Sequence, residues 1–208
     1  MTAPTFEQAV NELMRVGALF YERSWVPATS GNFSVRLDDG SIAITVSGRH
    51  KGELRAEDLM RVSGDGEVLT AGKKPSAETA LHTQLYRRDA CIGAVLHHHS
   101  RTATLMSKLV GREIVVSDYE VLKAFTHYDT HEARARLPVF ANDQDVPRLA
   151  AKVDAWLDSE PDPIGYLIEG HGLYTWGETV ADARRHVEAL EFLLGCELEL
   201  LRLQRVGR

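Results

Sequence analysis

The chain holds two cysteines in 208 residues, shows no excess of basic charge, and contains no apolar run approaching the ~20 residues of a membrane span. Each absence excludes a class of protein. Cys91 and Cys196 lie in apolar sequence with no metal-type spacing, which rules out a disulfide scaffold and a cysteine-held metal and predicts two buried, reduced thiols. Lysine and arginine number 24 against 30 acidic residues, giving a net charge of -6 with both signs dispersed. No basic stripe exists to recruit nucleic acid or an anionic membrane. Met1 to Thr5 carries neither a basic nor an apolar leader segment, so the expected location is the cytoplasm. There is no internal repeat, low-complexity tract or linker, and 44% hydrophobic residues suffice for one well-filled core, so residues 1–208 are expected to form a single domain.

The patterning mixes strands and helices. Phe6 to Arg23 places apolar residues at helical spacing behind Thr5, a capping residue. Asn32–Leu37 and Ser41–Val46 flank Asp38-Asp39-Gly40, a hairpin signal, and a second hairpin is expected around Gly64-Asp65-Gly66, between Leu59–Val62 and Glu67–Thr70. Further helices are predicted from Ser76 or Ala77 to Arg88, from Ser100 through Leu109, from Val146 to Leu157 with Pro147 in its first turn, and from Glu178 to about Val206. Strands are predicted at Ala94–His99, Leu137–Ala141, Ile164–Ile168 and Leu173–Gly177. The expected fold class is α/β, a three-layer α/β/α domain with a mixed, largely antiparallel central sheet.

The chemistry concentrates where the run Ala94-Val95-Leu96 ends in His97-His98-His99. On a strand alternate side chains share a face, so His97 and His99 point one way and His98 the other. Two imidazoles converging at a strand end are half of a tetrahedral zinc site, and zinc suits imidazole where no cysteine or carboxylate cluster lies nearby. Among His50, His82, His127, His131, His171 and His186, the best-placed third ligand is His171. It sits in Glu169-Gly170-His171-Gly172 between two strands, where flanking glycines let the backbone turn tightly. His82 and His186 lie in helical patterns and read as core or surface histidines.

Three loops look suited to an anion: Ala28-Thr29-Ser30-Gly31-Asn32, Thr45 to Gly52, and Gly72-Lys73-Lys74-Pro75-Ser76 ahead of the helix that carries Glu78. Hydroxyls, glycine-exposed amides, a lysine and a helix start are what a phosphate monoester requires. Ser47, Gly48 and Lys51 are the expected phosphate holders, with Ser30, Gly31, Asn32 and Ser76 nearby.

Taken in order and spacing, Thr29-Ser30-Gly31-Asn32, Ser47-Gly48, Lys74-Pro75-Ser76-Ala77-Glu78, His97-x-His99 and Gly170-His171-Gly172 resemble the class II aldolase/adducin family over nearly the whole chain. Its members include zinc-dependent sugar-phosphate aldolases and epimerases and a dehydratase. Ser47–Gly52, Glu78–Tyr86, Pro138–Asp145 and Gly172–Gly177 are similar to the dehydratase branch. The resemblance implies one zinc held by His97, His99 and His171, a sugar-phosphate substrate, and a homotetramer with active sites at subunit interfaces. It gives the aldolases an acid/base at Glu78 and the dehydratase branch one at Glu120, within Ser117–Lys123. Glu78 is left as a zinc-shell group, a helper base or a structural residue. Glu120 is expected to remove a proton beside the substrate carbonyl and then to help a hydroxyl leave, from its own or a neighbouring chain. An aldolase or 4-epimerase, or a non-catalytic adducin-like interaction module, are the alternatives; the retained histidines argue against the last. The apolar segment from Val110 to Arg136 would be covered either in a closed assembly or in the chain's own core.

Overall fold

Local signals set the elements of the computed structural model, which describes residues 3–206. Helix α1 (Phe6–Glu22) opens on Thr5, whose hydroxyl accepts from the Gln8 amide while the Gln8 side chain accepts from the Thr5 amide. The Asp38-Asp39-Gly40 turn joins β1 (Asn32–Arg36) to β2 (Ile42–Thr45), and β3 (Leu59–Val62) pairs with β2. There follow α2 (Thr79–Arg88), β4 (Ala94–His98), α3 (Arg101–Leu109), β5 (Glu113–Ser117), β6 (Arg134–Phe140), α4 (Val146–Leu157), β7 (Tyr166–Ile168), β8 (Gly172–Gly177) and α5 (Val180–Val206).

The strands form one sheet in the order β3-β2-β1-β4-β8-β7-β6-β5, antiparallel at every junction except β6–β7. Strand alternation sorts side chains into two layers. Phe33, Val35 and Leu96 pack under α1 and the start of α5, and Leu167 and Leu173 under α3 and the middle of α5. Val95, Ile42, Ile44, Tyr166 and Tyr174 face α2 and α4. This is the expected three-layer α/β/α arrangement around a mixed, largely antiparallel sheet. Alternation also sends His97, in step with Val95, toward the α2 side, and His98, in step with Leu96, toward α1 and α5.

Some expectations fail for identifiable reasons. Glu67–Thr70 makes an isolated bridge through Val68 and one backbone bond from Leu69 rather than a strand. Val68 and Leu69 stay exposed, with no layer to cover a second hairpin arm. Cys91 is exposed and Cys196 half-buried, both as free thiols. Cys91 falls in the surface turn between α2 and β4, its amide bonded to the Asp89 carboxylate. The segment 110–136 contains β5, paired with β6, and Ile114, Val116, Leu122 and Phe125 are buried in the chain's own core. No helix among the described residues is long and apolar enough to cross a membrane.

Candidate active site

The site forms where β4 ends beside β1 and the β7–β8 turn. The His99 amide bonds to the Trp25 carbonyl, which fixes the chain as it leaves β4. Two glycines permit the close approach. A Cβ at Gly31, where φ is +76°, would lie 2.7 Å from the His97 carbonyl oxygen. A Cβ at Gly172 would lie 2.1 Å from the His98 carbonyl oxygen. Only glycine lets β1 and the His171 turn press against the strand end.

One ligand atom each from His97, His99 and His171 lies within 4.8 Å of the others. The Nδ1 of His97 faces the Leu173 carbonyl at 3.0 Å, so its proton sits there and Nε2 is left as a lone pair. That Nε2 meets His99 Nε2 at 2.8 Å. Burial, against the opposing pull of Glu78, pushes His97 well below the usual imidazole range and His99 down to about 4, so both rings are held neutral. Three converging imidazoles, two of them held neutral and His97 with its lone pair turned inward, fit a divalent cation. His98 points the other way as expected, packed on Trp25 and Phe20 with Nε2 3.6 Å from Glu191.

Glu78 sits at the threshold of α2, its Oε1 2.9 Å from His171 Nε2 and its Oε2 3.6 Å from His97 Nε2. Burial raises its pKa, but the adjacent histidines and the Asn32 amide, at 2.6 Å, outweigh that and hold the carboxyl well below the usual range.

A cavity of about 260 Å³ opens onto this cluster. Ser30, Gly31, Asn32, Ser47, Gly48, Lys51 and Ser76 all line it, together with Glu78, His99 and His171. Thr29, Thr45 and Val46 complete the wall; they lay in the loops read from the sequence without being singled out. A bridge between Val46 and Pro75 ties two of the loops together, and the buried Ser30 hydroxyl has no partner among the described residues. Lys51 is 1% exposed, and its Nζ donates to the carbonyls of Thr29 and Arg49, leaving one proton free. Burial pushes its pKa down to about 8, partly offset by Glu78 and Asp58. A buried lysine that is mostly cationic at neutral pH, hydroxyls and glycine amides are suited to a phosphate beside the histidines. A larger cavity of about 480 Å³, at the other end of β4 near Cys91 and Trp176, gathers no comparable set of donors.

Glu120 is not part of this constellation. It begins a 3-10 turn over Glu120–Ala124, its side chain is 71% exposed, and it pairs with Lys123 at 2.5 Å. Within one chain the structure does not bring it to the cavity. His82, read as an ordinary helical histidine, is fully buried and bonded to Asn32 and Ser34. The signal for it was present: Glu78, His82 and Tyr86 recur every four residues and so share one face of α2.

Fold and site together define a class II aldolase-type protein, and the chain belongs to that family: the profile described as Class II Aldolase and Adducin N-terminal domain matches residues 11–198. Methylthioribulose-1-phosphate dehydratase of Pseudomonas paraeruginosa (strain PA7) is 54% identical over 200 residues, covering 96% of this chain and 98% of that protein. The protein of the same name from Methylococcus capsulatus (strain Bath) is also 54% identical, with the same coverage. Among solved structures, L-fuculose-1-phosphate aldolase from Thermus thermophilus superposes with a TM-score of 0.77 at 26% identity, over 96% of this chain and 97% of that one.

Proposed function

We propose that this protein is a zinc-dependent hydro-lyase that converts 5-methylthioribulose 1-phosphate into 2,3-diketo-5-methylthiopentyl 1-phosphate and water, a step of methionine salvage, in the cytoplasm. The observation that carries the reading is identity of 54% over nearly the full length of dehydratases acting on that sugar phosphate. The cavity adds independent support, because it joins a histidine triad to loops suited to a phosphate.

The substrate has a carbonyl at C2 and hydroxyls at C3 and C4. Ser30, Ser47, Ser76, the amides around Gly31 and Gly48, and Lys51 hold its phosphate, which places the carbonyl end toward the histidines. A zinc ion held by His97, His99 and His171 would supply a Lewis acid for the charge that develops on the C2 oxygen. Glu120 takes the C3 proton and returns it to the departing C4 hydroxyl, which leaves as water. The resulting C3 enol gains a proton at C4 and becomes the second ketone. Because Glu120 is exposed in its own chain, it reaches the substrate as part of a neighbouring copy in a homotetramer. Glu78, ionised beside His171, keeps that imidazole turned into the site.

The aldolase reading has one observation in its favour, the carboxylate of Glu78 against the histidines. It would break the C3–C4 bond of the same substrate instead. Incubating the zinc-loaded protein with 5-methylthioribulose 1-phosphate separates the two. Diketone with intact carbon chain is expected; dihydroxyacetone phosphate and a methylthio aldehyde without diketone would overturn the dehydratase.

A further inference from the structure

Behind the cavity, five side chains form one continuous hydrogen-bonded chain ending on Glu78. The Asn32 amide nitrogen lies 2.6 Å from Glu78 Oε2, and its oxygen is bonded to His82 Nε2. His82 Nδ1 lies 2.7 Å from the Ser34 hydroxyl, and that hydroxyl 2.8 Å from the Tyr86 hydroxyl. Asn32, Ser34, His82 and Tyr86 are all buried. Asn32 and Ser34 come from the same face of β1; His82 and Tyr86 follow Glu78 at four-residue steps along α2.

The Asn32 amide fixes the direction of each bond. Its nitrogen lies on Glu78 Oε2 and its oxygen on His82 Nε2. That oxygen needs a donor, so the His82 proton is on Nε2. His82 Nδ1 then accepts from the Ser34 hydroxyl, whose oxygen accepts from Tyr86. Burial, which pushes His82 down to about 4 against the opposing pull of Glu78, leaves the ring with a single proton. Every dipole therefore points the same way, the arrangement in which successive bonds polarise one another. A ring proton on Nδ1 instead would set the Asn32 oxygen against a lone pair, and a flipped Asn32 amide would set that oxygen against the carboxylate.

We infer that His82 is a positioning residue: through Asn32 it locks the Glu78 carboxylate against His171, without itself touching the substrate or the metal ligands' nitrogens. Its effect on turnover rests on the proposed dehydration; the hydrogen-bonded chain does not.

Long-range proton–nitrogen NMR of the imidazoles in the zinc-loaded protein tests the chain directly. A neutral His82 protonated on Nε2 at neutral pH is expected, and a charged ring or a proton on Nδ1 overturns the inference. Kinetics test its consequence. His82→Leu should lower kcat roughly three- to tenfold, the worth of one neutral hydrogen bond, with zinc stoichiometry retained and KM within about twofold. His82→Gln, which can still donate to Asn32, should recover most of the loss. Equal kcat in both variants, or a rise in KM alone, overturns the role. If His82→Leu does not fold, Ser34→Ala, a much smaller change, should show the same kcat-specific loss, and unchanged kcat there overturns the role too. A wild-type protein that forms no diketone defeats the proposed reaction, and the imidazole spectrum still decides the chain.

Discussion

Lys51→Met separates substrate binding from folding, because the two effects of the lysine can be sized from its surroundings. Lys51 is 1% exposed, and its pKa is pushed down to about 8 by burial, with Glu78 and Asp58 pulling it partly back toward the ordinary 10.5. The unfolded chain therefore binds more protons than the folded one between about 8 and 10.5, so this group makes stability rise with pH across that window. At neutral pH the buried charge costs on the order of 3 kcal/mol. Methionine removes that cost but also removes the bonds to the Thr29 and Arg49 carbonyls, 2.9 and 2.7 Å long, so the effects on folding oppose each other and Tm should move by only a few degrees. Phosphate binding has no such compensation. Loss of one charged hydrogen bond, about 1.5–3 kcal/mol, predicts a rise in KM of roughly ten- to 150-fold. Steady-state kinetics with the phosphorylated substrate, and inhibition by inorganic phosphate, give the two constants. In the wild type phosphate affinity should weaken as pH rises past about 8, and in the variant that dependence should vanish. Unchanged KM and phosphate inhibition would remove Lys51 from the substrate site. A collapse of Tm with unchanged phosphate affinity would make it a structural clamp between the two loops.

His171→Ala should lose stoichiometric zinc while keeping the native circular dichroism spectrum, since the ring belongs to a turn and not to a core cluster; retained zinc would show that the third ligand lies elsewhere. Gly172→Ala places a methyl 2.1 Å from the His98 carbonyl oxygen, so β4 and β8 must part, and a loss of about 2 kcal/mol or more is expected. A denaturation midpoint equal to wild type would refute that packing argument. Glu120→Gln should abolish turnover with zinc retained, and subunits of Glu120→Gln mixed with His97→Ala should recover roughly a quarter of wild-type activity if sites join neighbouring copies. No recovery, or a fully active monomer by light scattering, would sink the shared site.

Much of the fold was legible because the deciding signals are local. Thr5 with Gln8, Asp38-Asp39-Gly40, Ser100 and Pro147 each act within a few residues of themselves, and each bounds an element where expected. The histidine cluster was legible for the same reason, since strand alternation settles which faces His97, His98 and His99 take. The misreadings involve burial, which depends on neighbours distant in sequence. Val68 and Leu69 look like a strand until no layer covers them, and Cys91 looks buried until its turn is placed on the surface. The chain behind Glu78 lies between these cases. The four-residue spacing of Glu78, His82 and Tyr86 marks a face of α2, but a helix can turn such a face to water as readily as inward. Only the pairing of β1 with β4, which aims Ser34 and Asn32 at α2, makes that face polar and buried. Glu120 lies further from local physics, because a carboxylate three residues before Lys123 on an exposed turn is complete as a surface ion pair. Its proposed partner is the substrate in another copy of the chain, so neither this sequence's periodicity nor its monomer fold can supply the second half of the interaction.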